Sequence, residues 1–281
     1  MKKTLLILTT LALFSVGCNQ AAKQKQTAET TLFNMENKVL NGEYADEACV
    51  INYKTYLYEG TMAKETAKSE EDITFSLSFP VINTIFINKK EVDLAEVNDY
   101  LLSLAMAPYD SDEKEYNNIE EMRKAFFDDY IHDKKETESS LPWNYDKKIT
   151  VQSLTERGGN NLVFFKEIAD AYFGGAHPVA HTNYYGYHLS EKRQVTLNDI
   201  ITNKEKLNEL GEKYFKEAFQ LTNEPYKTQG YDFEKFELND NFYLTNEGIF
   251  FFFNPYEITS YANHLDVDVF IPNSAIKSIL K

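Results

Sequence analysis

The chain has 281 residues, 43% hydrophobic and 14% aromatic, so it can build one large domain or two small ones. Its 44 acidic residues outnumber the 29 basic ones. The resulting net charge of −15 argues against nucleic acid and anionic lipid surfaces as partners.

Residues 1–17, MKKTLLILTTLALFSVG, have the pattern of a secretory signal peptide, with two lysines, an apolar run too short to span a bilayer and a small final residue. Cys18 follows directly, as in bacterial lipoprotein signals, where this thiol is acylated. The alternative is an ordinary secretory signal that contains a cysteine. Residues 18–38 are expected to be the lipidated cysteine and a flexible tether, because the polar start of this stretch buries too little to become ordered. With Cys18 acylated, Cys49 is the only thiol left, so no disulfide within the chain is expected.

An N-terminal module is expected over residues 39–175. Alternating apolar and polar side chains predict strands over residues 48–58 and 73–82. Helical spacing predicts helices over residues 93–106 and 117–136, the first capped by Asp93 and the second by Asn117 or Asn118. Two alternating runs flank the sequence GGNN, which predicts a hairpin over residues 148–172.

A C-terminal module is expected over residues 176–281. The pattern predicts a strand pair over residues 183–201 that turns at 190–192, a helix over 204–220, and further strands up to residue 272 followed by a short closing helix. Helices and strands occur in blocks and do not alternate regularly. The predicted fold class is therefore α+β, with mostly antiparallel sheets and packed helices in two intimately joined modules.

Three stretches carry a resemblance to a known family: FSLSFPVI with AEVNDYL, YFGGAHPVAHTNYYGYHLSEKRQVTLNDII, and NFYLTNEGIFFFFNPYEITSYANHLDVDVFIP. They are similar to the extracytoplasmic region of RsiV-type anti-sigma factors, which sense lysozyme. They also resemble the non-catalytic N-terminal region of PdaC-type peptidoglycan deacetylases and many Bacteroidetes lipoproteins. The resemblance implies a two-module α+β protein that binds something outside the cytoplasm and is not an enzyme.

Three of the five histidines lie within residues 172–188, the most unusual stretch of the chain. A metal site would use His177, His181 and His188. Glycines and a proline exclude a helix here, and in an extended chain His188 points away from the other two. Zinc normally needs three or four convergent ligands, so we expect no metal and no other cofactor.

A structural corner explains the same stretch better. Gly174 and Gly175 allow a positive φ or a close backbone approach, and Pro178 fixes the direction in which the chain leaves. His177 is then expected to form a hydrogen bond across the corner that ties the two modules together. Direct contact between His177 and a ligand is the alternative.

Four further residues are candidates for ligand binding. Tyr185 and Tyr187 share one face of a predicted strand and could present their rings to a sugar or a partner protein; alternatively, both rings belong to the core. Tyr256 and Glu257, in the sequence NPYEI, could orient a ligand hydroxyl. The alternative for this pair is a capping or turn role after the apolar strand.

We therefore expect a non-enzymatic envelope protein that contacts the membrane through a lipid anchor only, at the periplasmic or outer-membrane face. Its partner would be a cell-wall glycan or a basic wall-attacking protein such as lysozyme, which the negative charge would attract. The alternative is an envelope glycan hydrolase or deacetylase with a His or carboxylate site that the sequence does not identify. No nucleophile-elbow, P-loop or zincin motif is present.

Overall fold

The computed structural model describes residues 33–45, 49–62, 73–94, 96–109, 114–137, 141–155, 162–260 and 267–281. The predicted signal peptide, Cys18 and the GGNN turn lie outside these residues. The last part of the predicted tether does not, because the first strand begins at Phe33. No helix in the described ranges combines the length and the apolar character needed to cross a bilayer.

An eight-stranded sheet forms the larger half of the structure. Its strands are β1 (Phe33–Ala45), β2 (Cys49–Met62), β3 (Ile73–Ile87), β4 (Lys90–Glu91), β5 (Asn144–Thr155), β6 (Leu162–Tyr172), β7 (Val179–His188) and β8 (Arg193–Gln194). The order is β1-β2-β3-β5-β6-β7-β8, with β4 beside β3. Strands β3 and β5 run parallel, and every other neighbouring pair is antiparallel. The predicted hairpin is the β5–β6 pair.

Two helices, α1 (Val97–Ala105) and α2 (Ile119–Thr137), cover one face of this sheet. Their apolar stripes pack with the sheet side chains in a first core, which includes Val97, Leu101, Met122, Phe126, Phe75, Leu77 and Phe165. The Asn118 side chain caps α2 as predicted, accepting a hydrogen bond from the Glu121 N–H at 2.9 Å. Helix α1 starts later than predicted. Its N-cap position is occupied by Glu96, with a φ of 77°, and not by Asp93.

A second core lies under a three-stranded antiparallel sheet of order β11-β10-β9. Its elements are α3 (Leu197–Ile200), α4 (Lys204–Ala218), a 3₁₀ turn (Tyr226–Gln229), β9 (Phe242–Leu244), β10 (Gly248–Phe253), β11 (Val267–Pro272) and α5 (Asn273–Ile276). Helix α4 is the predicted 204–220 helix. It begins at Asn203, whose side chain accepts a hydrogen bond from the Lys206 N–H at 2.8 Å.

Strand β6 belongs to both cores. Val163 and Phe165 point into the first core, whereas Leu162 and Phe164 point into the second. Because successive side chains alternate between faces, one apolar strand can be buried on both sides. The predicted α+β class with mostly antiparallel sheets is confirmed. The module boundary between residues 175 and 176 stays a prediction, and β7 and β8 continue the large sheet beyond it.

The packing between the cores leads to a first prediction. A Cβ atom on Gly186 of β7 would lie 2.8 Å from the Val195 Cβ and 2.9 Å from the Phe164 Cε1. Gly186→Ala should therefore lower the free energy of unfolding by about 1–3 kcal/mol in urea denaturation, because the overlap forces core side chains apart. Ala180→Ser, at an exposed position of the same strand, should change it by less than about 0.5 kcal/mol. Equal stability of Gly186→Ala and the native protein would contradict this packing.

Candidate functional site

The connection from β6 to β7 is a sharp corner built on two glycines. Gly174 and Gly175 have φ values of 85° and 101°, in the left-handed region that side chains rarely adopt. The Tyr172 hydroxyl donates to the Gly175 carbonyl at 3.0 Å and closes the corner. Phe173, just before it, packs its ring against Trp143 in the first core at a centroid distance of 5.3 Å. The two glycines therefore turn the chain at the edge of a well-packed region.

His177 joins this corner to a turn of the C-terminal region. Its Nδ1 lies 2.8 Å from the Pro178 carbonyl oxygen, which can only accept, so Nδ1 carries the proton. The other ring nitrogen, Nε2, therefore accepts from the Tyr256 hydroxyl at 2.9 Å. The sequence predicts a His177 hydrogen bond that ties the two modules together, whereas this one joins two residues of the predicted C-terminal module, 176–281. Both ring nitrogens of His177 are therefore hydrogen-bonded.

Tyr256 is held in an unusual conformation. Its φ is 72°, and its N–H donates to the Thr259 carbonyl at 3.0 Å across the turn. A bulky residue in the left-handed region costs on the order of 1–3 kcal/mol, so the surrounding hydrogen bonds must hold it there. The side chain is nevertheless 61% exposed.

Glu257, the next residue, secures the same turn. Its Oε2 accepts from the Asn254 N–H at 2.7 Å and from the Asn239 side-chain amide at 3.0 Å. Through this oxygen, Glu257 has the turn role that was the alternative to ligand binding. Tyr256 and His177 are hydrogen-bonded to each other at the corner, and Glu257 stabilises the turn that carries Tyr256.

Two asparagines, Asn254 at the start of the turn and Asn241 directly before β9, bind the outer edge of β7. The Thr182 N–H donates to the Asn254 Oδ1 at 2.7 Å, and the Tyr184 N–H donates to the Asn241 Oδ1 at 2.8 Å. Both asparagine amides donate back to the Thr182 carbonyl, at 3.1 Å from Asn254 and 2.8 Å from Asn241. These side chains replace the neighbouring strand that the edge of β7 lacks at this point.

Exposed apolar side chains gather at the corner. Val179, directly after Pro178, is 60% exposed, and Leu141 is 43% exposed beside Gly174, where an added Cβ would lie 3.4 Å from it. Together with His177 and Tyr256, these residues form what we call the corner surface.

Tyr185 and Tyr187 share one face of β7, as predicted, but α1 lies over that face. The Tyr187 ring is 3% exposed and packs against Tyr100 at a centroid distance of 4.9 Å. The Tyr185 hydroxyl donates to the Glu167 Oε2 at 2.6 Å, and burial together with this carboxylate raises the pKa of Tyr185. Tyr187 is therefore a core residue, as in the alternative given above. Tyr185 belongs to a polar cluster beneath α1.

That cluster centres on a buried ion pair that the sequence did not reveal. The Lys147 Nζ lies 2.9 Å from the Glu167 Oε1, and it donates to the Leu104 carbonyl at the C-terminus of α1 at 3.1 Å. Burial disfavours ionisation of Glu167, but Lys147 and the hydrogen bonds from Tyr185 and Asn183 outweigh it, so the pKa of Glu167 is lowered. The pair links β5, β6 and the negative end of the α1 dipole.

The three histidines do not converge. His177 bonds to Tyr256, the His181 Nε2 lies 4.0 Å from the Glu167 Oε2, and the His188 Nδ1 accepts from the Glu191 N–H at 3.1 Å in the β7–β8 turn. Burial lowers the pKa of His181, with the Glu167 carboxylate acting against this shift. Within the described ranges, no group of three or more His, Cys, Asp or Glu side chains is arranged to hold a metal ion.

A pocket of about 270 Å³ borders the Tyr256 turn. It is lined by Phe233, Lys235, Phe236, Glu237, Asn239, Phe253, Glu257 and Ile258. It shares Lys235 and Glu237 with a groove of about 540 Å³ along α4. The pocket and the groove together are lined by six carboxylates, Glu205, Glu209, Glu212, Glu237, Asp240 and Glu257, against two lysines, Lys204 and Lys235. Glu209 and Glu212 also pair with Lys206 and Lys216 outside the lining. The surface beside the corner is therefore acidic.

Residues 197–273 match a family model described as "Protein of unknown function (DUF3298)". Among solved structures, a DUF3298-family protein from Bacteroides fragilis aligns over 90% of this chain and 95% of its own, with a TM-score of 0.60 and 23% identity. A DUF3298-family protein from Pseudomonas aeruginosa aligns over 88% of this chain and 95% of its own, with a TM-score of 0.56 and 14% identity.

The chain shares the fold of DUF3298 proteins. At these identities the likeness concerns the fold alone. No curated protein matches the chain. The resemblance to RsiV-type and PdaC-type proteins stays a prediction, since the matching family model and the two solved structures carry only the DUF3298 description.

The asparagine clamps give a prediction for hydrogen exchange. Asn254→Ala should speed amide exchange at Thr182, and Asn241→Ala should speed it at Tyr184, because each change removes the acceptor of that N–H. Residue-resolved exchange measured by NMR checks both variants, and each serves as the control for the other. Uniform acceleration over all of β7 in both variants would contradict separate clamps.

The buried ion pair gives a prediction for stability. Glu167→Gln should lower the free energy of unfolding by about 3–5 kcal/mol, because it leaves the Lys147 ammonium buried without its counter-ion. Lys147→Met combined with Glu167→Gln should lose less than the sum of the single changes in urea denaturation. The exposed pair Lys124–Asp128 on α2 is the matched control, and Asp128→Asn should cost less than about 0.5 kcal/mol. A similar loss of unfolding free energy in Glu167→Gln and Asp128→Asn would contradict the conclusion that the buried Lys147–Glu167 pair matters more for stability than an exposed pair.

Proposed function

We propose that this protein is a non-enzymatic binding protein of the cell envelope, tethered through an acylated Cys18, and that the corner surface recognises a basic protein such as a lysozyme. The observation that carries the proposal is Tyr256. An aromatic side chain is 61% exposed, although its backbone is held at a φ of 72° and its hydroxyl is bonded to His177. Backbone strain retained at an exposed aromatic residue is typical of a functional position.

The surroundings of Tyr256 support a role in recognition. Binding hot spots are enriched in tyrosine, and they lie among contacts that exclude water from a central aromatic anchor. Val179 and Leu141 supply exposed apolar area near the corner. Glu257 and the clamp at Asn254 fix the turn, so little conformational entropy would be lost when a partner binds.

The charge distribution favours a basic partner. The chain carries a net charge of −15, and the pocket and groove next to the corner are lined by more carboxylates than lysines. Such a field attracts a positively charged protein and speeds its association at low ionic strength. A cell-wall glycan is the second candidate, because the exposed Tyr256 ring could also stack on a sugar.

The geometry of His177 supports binding more than hydrolysis. Both ring nitrogens are engaged, one with the Pro178 carbonyl and the other with the Tyr256 hydroxyl. A general base needs a free lone pair within reach of the proton that it removes. In this arrangement the imidazole positions Tyr256.

The test measures binding of hen egg-white lysozyme to the purified protein by calorimetry, at low and at high salt. Tyr256→Ala should weaken binding by about tenfold or more, as expected for a central aromatic anchor, and high salt should weaken binding of the native protein. Tyr256→Phe keeps the ring and should cost less. Leu40→Ala removes a side chain of similar exposure on β1, at the other edge of the large sheet, and should have no effect.

Two results would contradict the proposal. Unchanged lysozyme affinity in Tyr256→Ala would remove the corner surface from recognition. Salt-independent binding to an N-acetylglucosamine oligomer without binding to lysozyme would instead establish the glycan candidate, since a neutral glycan does not depend on charge attraction.

A further inference from the structure

We propose that the pocket beside the Tyr256 turn receives a lysine or arginine side chain of the partner protein. This inference rests on the proposed function and adds the chemistry of one contact. The pocket, of about 270 Å³, lies between the irregular segment 233–239 and residues 253–258, so it adjoins the corner surface. We call it the anchor pocket.

The floor of the anchor pocket is apolar and largely aromatic. Phe233, Phe236, Phe253 and Ile258 line it, with the Phe236 ring centroid 5.8 Å from that of Phe253 and 6.1 Å from that of Phe233. The aliphatic stem of lysine or arginine packs well on such a floor while its charged head stays near solvent. Phe236 and Phe253 are only 1% and 2% exposed, so Phe233, which is half-buried, is the ring that can attract the cation itself.

The rim of the pocket supplies negative charge for that head. Glu237 is exposed, and its Oε1 lies 3.0 Å from the Lys235 Nζ. Glu257 accepts both of its hydrogen bonds through Oε2, so its Oε1 can accept a further one. The adjoining groove adds Glu205, Asp240 and further carboxylates. An apolar floor with a carboxylate rim fits a cationic side chain better than an apolar or an anionic one.

The walls of the pocket are fixed in advance. The Asn208 side chain on α4 donates to the Phe236 carbonyl at 3.1 Å and accepts from the Leu238 N–H at 2.8 Å. The Asp232 N–H donates to the Ile258 carbonyl at 3.0 Å, which ties the segment to the Tyr256 turn. Long irregular connections that are nevertheless well held are often functional, and binding pockets are usually preformed.

Lys235 would compete with the incoming cationic side chain for the Glu237 carboxylate. Its ammonium pairs with Glu237 at the rim, and both side chains are mostly exposed, so the pair itself is weak. An incoming cation would take over the Glu237 carboxylate. Removing the Lys235 charge should therefore strengthen binding, whereas removing the Glu237 charge should weaken it.

The test titrates ¹⁵N-labelled protein by NMR with a blocked pentapeptide, Gly-Gly-Arg-Gly-Gly. The same peptide with citrulline, which has nearly the same shape without the charge, is the control ligand. We expect the arginine peptide to shift resonances of residues 233–239 and 257–258 and to bind more tightly than the citrulline peptide. Glu237→Gln should weaken binding by about twofold to fivefold, and Lys235→Gln should strengthen it by about the same factor, as exposed ion pairs allow.

Equal binding of the two peptides, shifts confined to other regions, or weaker binding in Lys235→Gln would overturn the inference. Its failure can be told apart from failure of the proposed function. Lysozyme binding that depends on Tyr256, together with no arginine-specific shifts at the pocket, would retain the corner surface and remove the anchor pocket. Arginine-specific shifts without lysozyme binding would retain the pocket and remove lysozyme as the partner.

Discussion

Burial of strand β6 on both faces is the constraint on which the rest of the structure depends. Val163 and Phe165 complete the core beneath α1 and α2, and Leu162 and Phe164 complete the core beneath the small sheet. Each such side chain contributes about 1.5–3 kcal/mol by leaving water. A shift of β6 by one residue would exchange its two faces and disturb both cores together. The two halves therefore share β6, and the asparagine contacts to β7 add a second connection.

Fixing β6 also fixes β7 and its outer edge. Strand β7 pairs with β6 along its whole length, but β8 covers only its last two residues, Tyr187 and His188. The remaining edge would be an open template for another strand. The side chains of Asn241 and Asn254 satisfy three groups of this edge: the N–H and C=O of Thr182 and the N–H of Tyr184. Since Asn254 also begins the turn that contains Tyr256, the protection of the edge and the placement of the exposed ring have the same cause.

Local patterns in the sequence predicted the elements well. Alternation and helical spacing located the β5–β6 hairpin, the α2 cap at Asn118 and helix α4, because these depend on neighbours a few residues away. The corner at Gly174 and Gly175 was also predicted from local sequence, although the partner of His177, Tyr256, lies 79 residues away and was not.

Features that depend on distant partners were less accessible. Period-two alternation showed that Tyr185 and Tyr187 share a face, but it could not show that α1 covers that face. Lys147 and Glu167 occur in strands with other charges, and only the pairing of β5 with β6 reveals that their side chains meet in the interior. The asparagine clamps join positions 59 and 72 residues apart, and an asparagine at a strand end is equally typical of a simple turn. The overlap of β1 with the predicted tether has a similar cause, since the order of β1 depends on its pairing with β2.

The conformation of Tyr256 would connect this architecture to the proposed recognition. Holding a large residue at positive φ is unfavourable by itself, and the structure offsets this through the Thr259 carbonyl, the Glu257 carboxylate and the His177 imidazole. A relaxed turn would need fewer of these contacts, but it would leave the ring free to sample many positions. A partner that binds a ring already held in place loses less conformational entropy than one that must first order it. Under the proposed function, the strain at Tyr256 is the cost of preorganisation, and a basic partner would gain in addition from the acidic pocket beside the turn.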